Sequence, residues 1–356
     1  MKAVVLKAPT SLVLENVPKP KASDESMIVK VKACGICGSD VRYYKGENPW
    51  ALHTLGVNLP NPPNIILGHE WSGIVTDVKN DAYSSWVGKR VAILAFQSCG
   101  VCDNCRRGNN HLCRNTKHIG HGAGWGEMEY YPGGMAEYCQ IWNTHVCEIP
   151  ETLSYDEATL LDPLSVAIHA ITQAEMCPGE DVLVLGSGPI GACIAQASRA
   201  YGAHRVICTD IYDGILDLVK ELGADAVVNT KKQEIESVLS KIGISNVGVI
   251  FDTVGTAETQ QSALRLLKSG GSLVNLVVNK TKTPYKLIDL AGEKRVISSA
   301  NNRVEDFLLG IKLIDSGVVN AQKMITHKFS IDDVQKGFDT LLDKEHTGAL
   351  KVVINP

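Results

Sequence analysis

The chain has 356 residues, which at about 150 residues per domain points to two domains. Hydrophobic residues are 44% and charged residues 21%, a globular balance that excludes a disordered chain. Thirty-five basic against 39 acidic residues leave a net charge of −4, so there is no basic excess for nucleic acid or an anionic membrane surface. Met1-Lys-Ala-Val-Val-Leu-Lys alternates like a strand, without the apolar core of a signal peptide. The apolar charge-free stretch 182–198 carries three Gly, a Pro and a Gln and is a poor membrane span. The expectation is a cytoplasmic protein with neither a nucleic-acid nor a membrane partner.

In chain order, residues 1 to about 150 read as short β-like runs punctuated by Gly, Pro and Asn, such as 27–33, 65–78 and 90–95. From about 154 the rhythm becomes strand, turn, helix, strand. Apolar runs at 182–185, 205–209, 226–228, 249–251, 272–278 and 295–298 alternate with helical segments near 190–201, 213–222, 233–242 and 257–268. That alternation predicts βαβ units and a parallel sheet covered on both faces. Helices at 304–316 and 331–342 and a strand at 349–354 follow.

Eleven cysteines, an odd number, argue against a disulfide framework. Cys99, Cys102, Cys105 and Cys113 fall within fifteen residues, and four thiolates can enclose Zn²⁺ tetrahedrally with no open position. An iron–sulfur centre is the chemical competitor. A second, open metal site is suggested by Cys37, in Cys34-Gly-Ile-Cys37-Gly-Ser39-Asp40, and by His69-Glu70. Spacing alone does not supply its third ligand. Asp162, in Leu160-Leu-Asp162-Pro-Leu164, is the acidic candidate, because a carboxylate in an apolar run is costly to bury without a cation. The alternative is a helix N-cap, which Asp before Pro suits.

Residues 182–185 run into Gly186-Ser-Gly188-Pro189-Ile190-Gly191, ahead of a helix-like segment. Strand, glycine turn and helix N-terminus make a pyrophosphate cradle. Asp210 follows nineteen residues after Gly191, where a carboxylate accepts ribose hydroxyls and repels a 2′-phosphate. No Arg or Lys follows it until Lys220, which favours NAD over NADP.

With these pieces the chain resembles the zinc-dependent medium-chain dehydrogenase/reductase (alcohol dehydrogenase) family. Asp162-Pro-Leu-Ser-Val-Ala-Ile-His169 is similar to the polyol (sorbitol-type) branch, where the phrase begins with Glu; some threonine dehydrogenases carry Asp there. The resemblance implies an α/β protein with a GroES-like β-rich catalytic domain over 1–153. A Rossmann doubly wound parallel-sheet domain for NAD would span 154–300, and the catalytic domain would resume over 301–356. It implies two zinc ions per chain: one structural, on the four-cysteine loop, and one catalytic, on Cys37, His69 and Asp162. Glu70 would be the neighbouring carboxylate that enters the zinc shell during exchange. Ser39 would take the alcohol proton and Asp40 would orient His69. Arg42 stands where relatives often place a relay His, and cannot act as a base at neutral pH. Lys351 is similar to a basic residue that touches cofactor phosphates.

The expected reaction is hydride transfer between NAD and a secondary alcohol. The segments Asn48-Pro-Trp50-Ala-Leu-His53 and 118–131, with Trp125, Glu127 and Glu129, suit a sugar alcohol, cyclitol or aminocyclitol. The competing view of 118–131 is a solvated loop. A threonine-like amino alcohol is the second reading, and a non-catalytic zinc- and NAD-binding protein the third. The family implies a homodimer or homotetramer, and the strand near 272–278 is apolar enough to pair across a two-fold axis. The six cysteines outside these sites are expected in the core.

Overall fold

The computed structural model describes residues 1–356, and the chain divides into two compact units. The first holds Met1–Asp162, Ile325–Asp343 and Lys351–Pro356; the second holds Pro163–Met324 and Lys344–Leu350. Both limits differ from the expected 153 and 300. Residues 301–324 stay with the second unit because His169 Nδ1 lies 3.1 Å from Asp306 Oδ2 and the Asn320 N–H donates to Gln196 Oε1 at 2.7 Å.

The first unit is β-rich. Its main sheet has seven strands, and Ser26–Gly35 sits at the centre, buried at seven of ten positions. That strand pairs antiparallel with Glu70–Asp77 along one edge and with Tyr138–Trp142 near its start. At its far end it pairs with the C-terminal strand Lys351–Asn355, through Cys34 opposite Ile354 and Gly35 opposite Val353. The C-terminus therefore closes the sheet beside Cys34, and carries Lys351 with it.

The expected single strand over 65–78 is two strands, Ile65–Ile66 and Glu70–Asp77. Gly68, at φ +94°, breaks the run in the left-handed region that only glycine enters cheaply. A methyl group there would collide with the Cys34 sulfur. The break leaves His69 outside the sheet ladder. The candidate substrate segment 48–53 falls on the helix Pro49–Leu55 and its N-cap, the Asn48 side chain accepting from the Ala51 N–H at 3.0 Å.

The second unit is a six-stranded parallel sheet in the spatial order Ala226–Asn229, Arg205–Asp210, Asp181–Leu185, Val247–Asp252, Leu267–Asn275, Arg295–Ser298. The order reverses between Asp181–Leu185 and Val247–Asp252, the switch point where doubly wound sheets bind ligands. Leu183, Ile207, Ile250 and Leu273 form the core on one face, all fully buried. The strand expected near 272–278 is not the edge: Leu267–Asn275 lies inside, and Arg295–Ser298 is outermost. The 272–278 stretch is interior because it is apolar enough for both faces to be covered, whereas Arg295–Ser298 is half-exposed. Among the remaining cysteines Cys34, Cys139, Cys147, Cys193 and Cys208 are buried, but Cys177 is exposed and is not a core thiol. No helix is long and apolar enough to cross a membrane.

Candidate active site and metal centres

The helix Gly38–Tyr44 starts where the central strand ends, with Cys37 as its N-cap. Asp40, fully buried in its first turn, ties three segments together. Its carboxylate accepts the Cys37 N–H at 2.8 Å and the Gly68 N–H at 3.2 Å, and lies 3.6 Å from His69 Nδ1. Ser39 Oγ lies 3.4 Å from His69 Nε2. Burial pushes the His69 ring down, but the Asp40 carboxylate and the Cys37 sulfur outweigh it and hold its pKa well above the usual range.

The Cys37 sulfur, a His69 ring nitrogen and a Glu70 oxygen all lie within 4.8 Å of one another. One soft and one borderline donor beside a carboxylate fit a zinc site with a position left open. Asp162 is not in this group. It stands half-buried in the first turn of the helix Leu161–Ala174. The neighbour of Glu70 is Lys351, fully buried, which forms an ion pair with that carboxylate and donates to the Ile36 carbonyl at 3.3 Å. Gly35 makes room for the pair, since a methyl there would press on Lys351 Cε and Glu70 Oε2. Lys351 is thus turned inward to a carboxylate. Sequence reasoning missed that partner because the two residues are 281 positions apart.

The four-cysteine loop closes as its spacing implies. All four sulfurs lie within 4.8 Å of one another, with Cys102 at 3.5 Å from Cys105 and 3.9 Å from Cys113. The backbone N–H groups of Val101 and Cys102 pull Cys99 down to about 6, while burial pushes Cys113 up to about 12. The Cys99 and Asn115 N–H groups point at the Cys113 sulfur at 3.3 Å each. Four sulfurs this close cannot all ionise without a cation among them, and the set fits Zn²⁺.

The glycine turn uses each glycine differently. Gly186 has φ +87° and no room for a methyl against Thr253 and Val254. Gly191 packs on the Gly186 carbonyl. Gly188 has open space on its side and is the N-cap of Pro189–Ala200, where Pro189 and Ile190 open the helix. That open space at a helix N-terminus fits a pyrophosphate. Asp210 Oδ2 accepts the Ser187 N–H at 2.9 Å and Oδ1 accepts the Ile211 N–H at 2.7 Å, so the carboxylate is held beside the turn. Two lysines that the sequence argument overlooked come from the next strand end. Lys231 stands 5.4 Å over the Tyr212 ring, and Lys232 pairs with Asp213 at 2.6 Å.

The segment 118–131 is folded against the site. Gly120, Gly122, Gly124 and Gly126 all have φ between +68° and +91°. Gly120 lies directly on the Gly68 carbonyl, with no space for a methyl. His118 and His121 stack at 3.7 Å, and both stand edge-on to His69, at 5.6 and 5.9 Å. Burial, with the charge of His69, pushes His118 down to about 3 and His121 well below its usual value. Glu127 and Glu129, expected to line the site, are exposed. Trp125 stacks on Trp142 at 5.3 Å and donates its N–H to the His118 carbonyl at 2.8 Å.

The alcohol dehydrogenase GroES-like domain matches residues 23–151 and the zinc-binding dehydrogenase domain matches 189–316. An L-threonine 3-dehydrogenase of Alteromonas mediterranea is 32% identical, over 100% of this chain and 99% of its own. A sorbitol dehydrogenase of Bacillus subtilis is 29% identical, over 100% and 97%. The crystal structure of a short chain alcohol dehydrogenase of Escherichia coli CFT073, complexed with NADH, superposes with a TM-score of 0.88 at 27% identity, over 100% and 99%. With two domain matches and a relative 32% identical over its whole length, the chain belongs to the zinc-dependent medium-chain alcohol dehydrogenase family, a family of nicotinamide-dependent oxidoreductases acting on CH–OH groups.

Proposed function

We propose that this chain oxidises a secondary alcohol of a polyol, sugar alcohol, cyclitol or aminocyclitol with NAD⁺. The observation that carries the reading is the convergence of Cys37, His69 and Glu70 within 4.8 Å, with the Ser39 hydroxyl 3.4 Å from His69. Zinc held by these residues supplies the Lewis acidity that lowers the pKa of the alcohol. Ser39 takes the alcohol proton. Asp40 holds His69 in one orientation, and Lys351 balances the charge of Glu70. Arg42 is engaged with Glu47 at 2.7 Å, so the proton leaves Ser39 through water or cofactor hydroxyls. Asp162, one methylene shorter than the Glu of polyol relatives, would help hold the zinc, directly or through a bridging water.

Asp210 accepts the adenosine ribose hydroxyls and disfavours a 2′-phosphate. Lys232 does not reverse that preference, because Asp213 already neutralises it. The chain assembles as a homo-oligomer in the cytoplasm. A threonine-type amino alcohol is the second reading, favoured by the L-threonine 3-dehydrogenase relative.

Screening polyols, cyclitols and amino alcohols for NADH absorbance, with zinc quantified, tests the proposal. The expected result is two zinc per chain and turnover with at least one polyol or cyclitol. Turnover with threonine alone favours the second reading; NAD binding with no oxidation of any alcohol makes the protein a non-catalytic binder. Cys37→Ser and His69→Ala are expected to abolish turnover while NAD binding persists.

A further inference from the structure

We propose that His118 and His121 form a recognition wall for a second hydrogen-bond donor of the alcohol, a hydroxyl or an ammonium group away from the carbon being oxidised. The proposal rests on the reading of Cys37, His69 and Glu70 as the place where the reacting oxygen is held.

Tyr43, His121, His118 and Phe96 form one stack, with centroid separations of 5.0, 3.7 and 6.3 Å and interplanar angles of 12°, 28° and 25°. The two outer rings are ordinary aromatics; the two inner ones are imidazoles, and these are the rings that face His69 edge-on. If the stack only filled space, apolar rings would do so at lower cost. A buried nitrogen without a partner forfeits about 1–3 kcal/mol. His121 is 7% exposed and its Nδ1 has no partner within the protein. His118 is half-buried, and its Nδ1 donates to the Ile119 carbonyl at 2.6 Å, which leaves Nε2 as an acceptor. With Nδ1 committed to the Ile119 carbonyl, His118 presents Nε2 as an acceptor, so the group that meets the wall there must bring the hydrogen.

The backbone holds this wall in place. The left-handed glycines 120, 122 and 124 fold the segment back on itself, with Gly120 against Gly68, Gly122 against Pro62 and Tyr131, and Gly124 against the Thr116 carbonyl. The Trp125 N–H on the His118 carbonyl and the Trp50 N–H on Thr116 Oγ1, at 2.8 and 3.0 Å, tie down the same turn. His118 and His121 are thus held on a fixed backbone one side chain away from a catalytic ligand, a preorganised arrangement suited to selection.

The test is equilibrium binding of cyclohexanol, trans-1,2-cyclohexanediol and trans-2-aminocyclohexanol to the zinc-loaded full chain in the presence of NADH, by calorimetry. Wild-type protein is expected to prefer the diol or the amino alcohol to cyclohexanol by at least about tenfold, since a site built for a donor rejects the analogue that lacks it. His118→Leu and His121→Phe are expected to reduce that preference to about threefold or less, with zinc content and cyclohexanol affinity unchanged. Which ligand is preferred distinguishes a hydroxyl from an ammonium. Should either variant fail to fold, His118→Gln and His121→Asn, which keep a hydrogen-bonding atom, are expected to retain an intermediate preference. A wild type without preference, or a preference unchanged in every folded variant, overturns the proposal. A histidine-dependent preference in a protein that reduces no NAD⁺ supports it and overturns the dehydrogenase reading instead.

Discussion

Asp40, Gly68 and Lys351 decide the chemistry of the site without holding any of its reactants. Asp40 fastens Cys37 and Gly68 through two backbone N–H groups, and Gly68 permits the turn that presents His69. Gly68→Ala is expected to cost at least about 1–2 kcal/mol from φ alone, more once the Cys34 sulfur is displaced. Metal analysis of the folded variant should show one zinc per chain instead of two. Lys351→Met removes one half of a fully buried ion pair and leaves Glu70 uncompensated, at a cost of about 3–5 kcal/mol in chemical denaturation. The double variant Glu70→Gln/Lys351→Met is expected to recover most of that loss, because no lone charge remains buried. Additive losses in the cycle would show that the two side chains do not depend on each other.

At the scale of elements, the four-cysteine loop and the parallel sheet call for separate tests. Cys113→Ser is expected to remove one zinc per chain and to speed hydrogen exchange over 98–116, leaving the second unit protected, since the site closes a loop of the first unit only. In the sheet, the strands Asp181–Leu185 and Arg205–Asp210 are joined at their starts by Asp181 and Arg205, at 2.6 and 2.9 Å. Burial pushes Asp181 up, but Arg205 and His204 outweigh it and hold the carboxyl below the usual range. A depressed carboxylate stabilises above its unfolded pKa of about 3.9, and that contribution is lost as pH falls through the lower folded value. Asp181→Asn should therefore lower Tm near neutral pH, by the equivalent of about 1 kcal/mol for a partly exposed pair, and lower it by less at pH 3, below the unfolded pKa of about 3.9. A Tm difference of equal size at both pH values would assign the effect to packing and not to charge.

For the whole molecule, the outermost strand Arg295–Ser298 leaves its outer edge unpaired, with Val296 48% exposed and Leu287 and Ile288 at 86% and 72% just before it. An apolar strand edge is a place for a second copy of the chain to pair. Val296→Lys with Ile288→Lys is expected to bring the solution mass down to that of a monomer, read by light scattering, without loss of fold. A wild type that is already monomeric would remove the homo-oligomer from the proposal.

Much of this protein was legible before any tertiary structure. Spacing alone brought out the cysteine loop and the glycine turn, because each is local: its ligands or N–H groups lie within fifteen residues and need only a turn to converge. The βαβ rhythm was equally plain, since the periodicity of a parallel sheet is written strand by strand. The partner of the carboxylate at the open site was not local. Glu70 and Lys351 meet only because the C-terminal strand returns to pair beside Gly35, and no spacing rule reaches across 281 residues. The same holds for the edge of the sheet, where apolarity marked 272–278 as a strand while the pairing order put Arg295–Ser298 outside it. The segment 118–131 was ambiguous for a related reason. Its glycines are compatible with a solvated loop, and only the close approach of Gly120 to Gly68 turns it inward and sets His118 and His121 against His69. Local chemistry follows from short-range chain geometry, whereas the partners of buried charges and the faces of loops depend on long-range packing.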